Sequence, residues 1–204
     1  MPEDAVALVA ASLGTSTARA RRLARTALPP GSVRSARAAA ARGRPVLLVE
    51  GATDAAVLTV LLGGDGPLVV AAGGKHVLPL AAAVAGAVGA DWHVLVDGDG
   101  DGWQRAANRS RARATHARST RRVLDALPPQ RCTVLPDALE AELAGWPSFV
   151  AALRRLGGEL SGPAAKDPAR YAAAAAAAGT ADAPERLVAL RRLTRGRRPG
   201  PPGG

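Results

Sequence analysis

Apolar and polar positions alternate in blocks along this chain, and the blocks change character at Pro45. Residues 4–44 read as helical, with Ala-rich stretches broken at Gly14 and at Pro29-Pro30-Gly31. Val46-Leu47-Leu48-Val49 is then a short continuous apolar run ending at Glu50-Gly51, which predicts a strand buried on both faces, as in parallel sheets. Thr53 is placed to cap a helix over 55–62. After the turn at Gly63-Gly64-Asp65-Gly66, Leu68-Val69-Val70 is a second strand, followed by Gly73-Gly74-Lys75. A helix is expected over 77–88 with Pro79 in its first turn. Trp92-His93-Val94-Leu95-Val96 is a third strand that stops at Asp97. An Arg-rich helix follows over roughly 104–126, and Cys132-Thr133-Val134-Leu135 is a fourth strand. Residues 137–194 read as three or four helices. One starts at Asp167-Pro168 and runs through seven alanines to Gly179. Strands alternating with helices of this length predict an α/β fold, Rossmann-like, with a mostly parallel four-stranded sheet flanked by helices and helical additions at both ends. Three segments are expected: a basic helical appendage over 1–44, an α/β domain over 45–194, and a disordered basic tail over 195–204, which holds Arg, Pro and Gly but no core residues.

Composition narrows the classes. A chain of 204 residues buries a sizeable core without staples. No apolar stretch approaches the roughly 18 residues that span a bilayer, so no membrane partner is expected. Glu3 and Asp4 stand where a secretory signal carries basic residues, and the lone Cys132 forms no internal disulfide, so a cytoplasmic setting is expected. Five aromatic residues are too few for stacked single-strand platforms.

Charge is segregated. Residues 1–45 hold 8 Arg against 2 acids, residues 46–102 hold 7 acids against one Lys, and residues 103–131 hold 8 Arg against one acid. An acidic centre between basic flanks suits a metal site served by a polyanion, the flanks neutralising phosphates while the carboxylates hold cations. The basic residues are 25 Arg and only Lys75 and Lys166. In so Arg-biased a chain a lysine stands out, because a compact ammonium is no equivalent of a guanidinium fork.

In open α/β sheets, function gathers beyond the carboxyl ends of the strands. Here those ends carry Glu50; Gly73-Gly74-Lys75; Asp97-Gly98-Asp99-Gly100-Asp101-Gly102; and Asp137 with Glu140. Carboxylates so clustered repel unless cations neutralise them, and hard oxygen ligands favour Mg²⁺, Mn²⁺ or Ca²⁺. The glycines between the aspartates allow sharp turns and close approach of a phosphate. Lys75 could reach a phosphate, with the Gly73 and Gly74 amides as an anion nest. The Asp-Gly repeat imitates a calcium EF-hand loop but has Asn108 where the bidentate Glu belongs, and no GlyxGlyxxGly fingerprint follows the first strand. His93 is expected to be structural and Cys132 a small core residue.

The ordered set Val-Glu-Gly-x-x-Asp, Gly-Gly-Lys and Asp-x-Asp over 46–102 resembles the TOPRIM domain of topoisomerases, primases and certain nucleases. With Leu135-Pro136-Asp137-Ala138-Leu139-Glu140 and Lys166-Asp167-Pro168, the stretch 46–190 is most similar to the TOPRIM region of overcoming-lysogenization-defect (OLD) family nucleases. The resemblance implies a metal ligand and acid–base at Glu50, a second acid at Asp54, paired Mg²⁺ ligands at Asp97 and Asp99, and a late ligand at Glu140. It also implies one or two Mg²⁺ or Mn²⁺ ions and a charge-stabilising lysine at Lys166. Two departures stand out. The chain lacks the ATPase domain usually fused to OLD-type enzymes, which raises a separate ATPase subunit as partner. Position 138 is Ala where a hydroxyl would suit a second metal.

The expected function is Mg²⁺-dependent hydrolysis of DNA, with RNA as the other nucleic-acid substrate and a homodimer as a compatible assembly. Two metals about 3.5–4 Å apart activate water and stabilise the leaving oxygen of a phosphodiester. Arg105, Arg109, Arg111 and Arg113 of the basic helix, and the N-terminal cluster Arg19, Arg21, Arg22 and Arg25, are the expected backbone contacts. The rivals are another TOPRIM chemistry (nucleotidyl transfer or RNA processing) and a non-catalytic metal- or nucleic-acid-binding module serving a partner ATPase. Topoisomerase action is disfavoured because the single tyrosine, Tyr171, adjoins the alanine run.

Overall fold

The computed structural model describes residues 3–98, 100, 109–160 and 167–193, without the side chains of 109–114, 116, 117, 192 and 193. Four strands, β1 (Val46–Val49), β2 (Leu68–Ala71), β3 (Trp92–Asp97) and β4 (Cys132–Leu135), form one sheet in the order β2-β1-β3-β4. Every neighbouring pair is parallel; Leu47 lies opposite Val69 and His93, and Asp97 opposite Leu135. The strands stand where the apolar runs predict them, with β2 and β3 each extended by one residue.

Among the described residues, ten helices flank the sheet: α1 (Glu3–Ser12), α2 (Thr17–Thr26), α3 (Ser32–Ala41), α4 (Ala52–Leu62), α5 (Leu78–Ala87), α6 (Arg109–Asp125), α7 (Leu139–Ala144), α8 (Pro147–Arg155), α9 (Pro168–Ala178) and α10 (Glu185–Leu193). The alternating side chains of each strand face two separate cores. Val46, Leu48, Val70, Val94 and Val96 meet residues of α1, α2, α3, α5 and α6 on one face. Leu47, Val49, Leu95 and Leu135 meet α4 and α7 to α10 on the other. The result is a three-layer, Rossmann-like α/β sandwich. No helix among the described residues is long and apolar enough to cross a membrane.

The N-terminal helices share a core with the sheet. Val6, Val9, Ala20, Ala36 and Ala39 are buried in the same cluster as Val46 and Val70. The expected boundary at residue 44/45 therefore corresponds to no break in packing. Periodicity in 4–44 reveals an apolar stripe on each helix but not what the stripe is buried against. The expected basic tail lies outside the described residues.

Local chemistry sets the helix ends. Asp167 caps α9, accepting from the amides of Ala169 and Arg170, with Pro168 at the first helical position. Helix α4 begins earlier than expected: its cap is Gly51, not Thr53, and Thr53 is buried inside the first turn. Trp146 offers no capping side chain to α8. Asp182, from the loop before α10, supplies one instead, accepting from Ser148 N (2.9 Å), Ser148 Oγ (2.8 Å) and Trp146 Nε1 (3.1 Å). These bonds hold the Asp182 carboxyl below the usual carboxylate range. Trp146 stacks on Phe149, and Phe149 meets Tyr171 edge-on, forming the aromatic centre of the second core.

Candidate active site

The chain leaves β1 for β2 on one side and then crosses to β3 on the other, so the connections diverge between the carboxyl ends of β1 and β3. That divergence opens a crevice in doubly wound sheets. Glu50 follows β1 and Asp97 ends β3, so the two carboxylates flank this switch point. Glu50, Gly51, Ala52, Thr53, Asp54, Gly73, Gly74, Asp97 and Glu140 line one recess of about 390 Å³.

Glu50 reaches across from β1 and its Oε1 accepts the Asp97 amide at 3.1 Å. Lys75 Nζ lies 3.6 Å from the same oxygen and donates to the Asp97 carbonyl (2.7 Å) and to Thr120 Oγ1 (3.2 Å). The lysine is therefore folded inward beneath the carboxylates, only 10% of its side chain exposed. Asp54 Oδ2 accepts the Gly51 amide at 2.8 Å, which fixes the chain as it turns from β1 into α4. Asp97 Oδ1 accepts the Leu139 amide at 3.1 Å. Ala138 caps α7 without a side-chain acceptor, and Asp97 supplies one from the neighbouring strand. The helix cap is thus made by a bond the sequence does not show, while position 138 itself offers no hydroxyl.

The glycines of the Asp-Gly motif answer to close packing. Gly98 N donates to Asp137 O (3.2 Å) and Gly100 N to Pro136 O (3.1 Å). A Cβ on Gly98 would stand 2.2 Å from Leu135 O, and one on Gly100 2.4 Å from Pro136 O. The loop after β3 can therefore lie against the chain leaving β4 only with glycine at these positions. Gly73 and Gly74 have φ of +91° and +139°, and both amides donate to the Glu50 carbonyl, at 3.0 and 2.9 Å. The anticipated anion nest is not formed: these amides secure the end of β1, and Lys75 faces Glu50 and Asp97.

Of the residues singled out in the sequence, Glu50, Asp54, Gly73, Gly74, Asp97 and Glu140 are brought together, with Lys75 beneath them. Asp99, Arg105 and Lys166 lie outside the described residues. Arg109, Arg111 and Arg113 fall in the first turns of α6. Thr120 of the same helix went unsuspected; a threonine within an Arg-rich helix carries no sequence signal for a partner on β3.

Electrostatics follow from the crowding. Burial, then the charges of Glu50, Asp54 and Glu140, push the Asp97 carboxyl up to about 8, with Lys75 acting in the opposite sense. Burial is the larger cause and the three neighbouring carboxylates add to it, so positive charge in the recess would act in the opposite sense, as Lys75 does. The donor set, all carboxylate oxygen, suits Mg²⁺ or Mn²⁺. Among the described residues no group of three or more His, Cys, Asp or Glu side chains is gathered so that it could hold a metal ion. The carboxylates that line the recess are Glu50, Asp54, Asp97 and Glu140.

The other candidates are structural. His93 Nε2 is 2.9 Å from Thr133 Oγ1, and burial followed by the Arg131 charge lowers its pKa, keeping it neutral. Tyr171 is 1% exposed and donates its hydroxyl to Glu159 O at 3.0 Å. Burial and the Glu140 charge raise its pKa, the opposite of what a nucleophilic phenolate needs. Tyr171→Phe should lower stability by about 1 kcal/mol, the usual net worth of one hydrogen bond, measured by urea unfolding. It should leave any DNA cleavage intact, and loss of cleavage at unchanged fold would return the tyrosine to consideration.

No protein-family model, curated protein or solved structure matches this chain.

Proposed function

We propose that this protein is a divalent-metal-dependent phosphodiesterase that cleaves DNA, of the TOPRIM type and nearest the OLD-family nucleases. The observation that carries this reading is the meeting of Glu50 and Asp97 at the switch point, in one recess with Asp54 and Glu140. A bound Mg²⁺ or Mn²⁺ would supply an activated water and offset charge on the reacting phosphate. The chain's own contribution is orientation. The Asp97 amide and Lys75 fix Oε1 of Glu50, while the Leu139 amide fixes Oδ1 of Asp97. Two carboxylates are thereby aimed before any ligand arrives, which spares reorganisation during the reaction. Glu50, on the wall of the recess, would accept a proton from the attacking water. Lys166 is proposed to stabilise charge at the scissile phosphate.

The test is plasmid nicking by purified protein with Mg²⁺, Mn²⁺, Ca²⁺ or EDTA, alongside Glu50→Gln and Asp97→Asn. Nicking should require Mg²⁺ or Mn²⁺ and disappear in both variants. Nicking that persists in both would overturn the site. No nicking, with salt-sensitive DNA binding intact, would favour the binding-module rival and a partner ATPase.

A further inference from the structure

The N-terminal helices form one wall of the carboxyl edge on which the carboxylates sit. Helix α3 runs antiparallel to the strands. Its start lies at the carboxyl end of β2: Ser32 Oγ faces Ala71 O at 3.5 Å, and Pro29 lies 3.3 Å from the position a Gly73 Cβ would take. Its far end lies at the opposite edge, where Arg44 donates to Gly66 O and Pro67 O just before β2 begins. Arg34 and Arg37, in the first two turns of α3, therefore stand toward the carboxyl edge, and with Gly31 and Val33 they line a shallow recess. Helix α2 ends at the same place, since Ala27 O is 3.7 Å from that Gly73 Cβ position. Arg19 shares a second cleft with His76, the residue after Lys75. Gly73 and Gly74 belong to the carboxylate recess itself.

The charge on this wall is of one sign. Between residues 5 and 49 there is no Asp or Glu, while α2 and α3 carry Arg19, Arg21, Arg22, Arg25, Arg34 and Arg37, all exposed. Arg21 is engaged by Glu3 of α1. Arginines spread along an exposed wall beside an acidic recess suit a ligand that is long, repetitive and anionic. A compact ligand would need them converged on one point. A nucleic-acid backbone has that form, and its phosphates would be drawn to the wall while the carboxylates held them off the recess until a cation was present.

We infer that Arg19, Arg34 and Arg37 form a track for the sugar–phosphate backbone of duplex DNA, running along the α2–α3 wall to the carboxylate recess. This deepens the nuclease reading by naming the surface that holds the substrate, and rests on that reading for the substrate class. Contacts of this kind position the duplex without reading its sequence.

The test measures binding alone. Full-length protein in EDTA is titrated into fluorescently labelled 20-base-pair DNA at several salt concentrations, so the result does not depend on cleavage. Arg19→Gln/Arg34→Gln/Arg37→Gln should weaken binding about tenfold to a hundredfold at low salt. It should also reduce the salt slope by about 2–3, close to 0.9 per lost phosphate contact. The control carries two changes on the opposite helical layer, Arg154→Gln/Arg155→Gln, and should lose much less per charge removed. An equal loss per charge in the control would mean a net-charge effect and overturn the track. Unchanged binding in the triple variant would also overturn it, as would tighter binding of single-stranded RNA than of duplex DNA. Circular dichroism confirms that each variant folds. If binding behaves as expected while the plasmid stays uncut under every metal, the track stands and the nuclease reading fails.

Discussion

Replacing Asp97 by Asn should stabilise the metal-free protein and abolish the proposed cleavage of DNA. The two effects have one origin. The folded protein holds the Asp97 carboxyl at about 8, against the usual value near 4 for an exposed aspartate. The native state therefore keeps a proton that the unfolded chain releases, and stability falls as pH rises from about 4 to about 8. The side-chain amide of the Asp97→Asn variant would retain an acceptor for the Leu139 amide and remove the ionisation. The full gap of roughly four pH units corresponds to about 6 kcal/mol. Water in the open recess relaxes much of that, so a gain of about 2 kcal/mol is expected, or ~4–8 °C in Tm for a chain of this size. Thermal unfolding in EDTA should show the gain at pH 8–9 and show it vanish near pH 4–5. Adding Ca²⁺ or Mn²⁺ at pH 8 should raise the Tm of the parent and leave that of Asp97→Asn nearly unchanged. The proposed cleavage should fall at least about 100-fold, since losing a ligand should cost no less than the ~10–100-fold that follows loss of a ligand's outer-shell partner. A variant less stable than the parent at pH 9 would contradict the account of this carboxyl as a point of unfavourable charge.

The second large effect is steric. Gly98→Ala would put a methyl group 2.2 Å from Leu135 O and 2.9 Å from Pro136 O. Both are backbone atoms at the end of β4, so no side chain can swing aside. Either the loop after Asp97 lifts off β4 or the β3–β4 pairing shifts. Overpacking of this kind costs ~3 kcal/mol or more, a fall of about 6–12 °C in Tm. Gly64→Ala is the matched control, with nothing within 4 Å of its Cβ position, and should lie within ~0.5 kcal/mol of the parent. Because the shifted segment adjoins Asp97 at the end of β3, the proposed cleavage should also drop by more than the fraction of unfolded protein explains. A Gly98→Ala protein with unchanged Tm would mean that the chain past β3 does not pack on β4 in this way.

Much of the architecture was legible because parallel strands buried on both faces leave a plain trace. Val46–Val49 and Cys132–Leu135 are runs of four bounded by turn residues, and each became a strand with the bounds its run suggests. The Asp167-Pro168 helix start was equally plain, since both capping and the proline position are local effects. Thr53 misled because a hydroxyl beside a helix start is only a propensity. Here the Asp54 carboxylate satisfies the Gly51 amide, so the helix begins two residues before Thr53 would allow.

The site divides along the same line. The chain itself determined which chemistry is available: carboxylates and one lysine just past the ends of apolar runs, and glycines where the chain must turn. These follow from residue identity and short-range spacing. Tertiary structure alone decided how they are used. The order β2-β1-β3-β4 brings Glu50 beside Asp97, 47 residues away in the chain. It turned Lys75 inward to Asp97 and Thr120, engaged the Gly73 and Gly74 amides at Glu50, and put Arg19 in one cleft with His76. Each of these depends on contacts between segments tens of residues apart. Such contacts are fixed by how helices and strands bury their apolar faces together, and no local window of sequence contains that information.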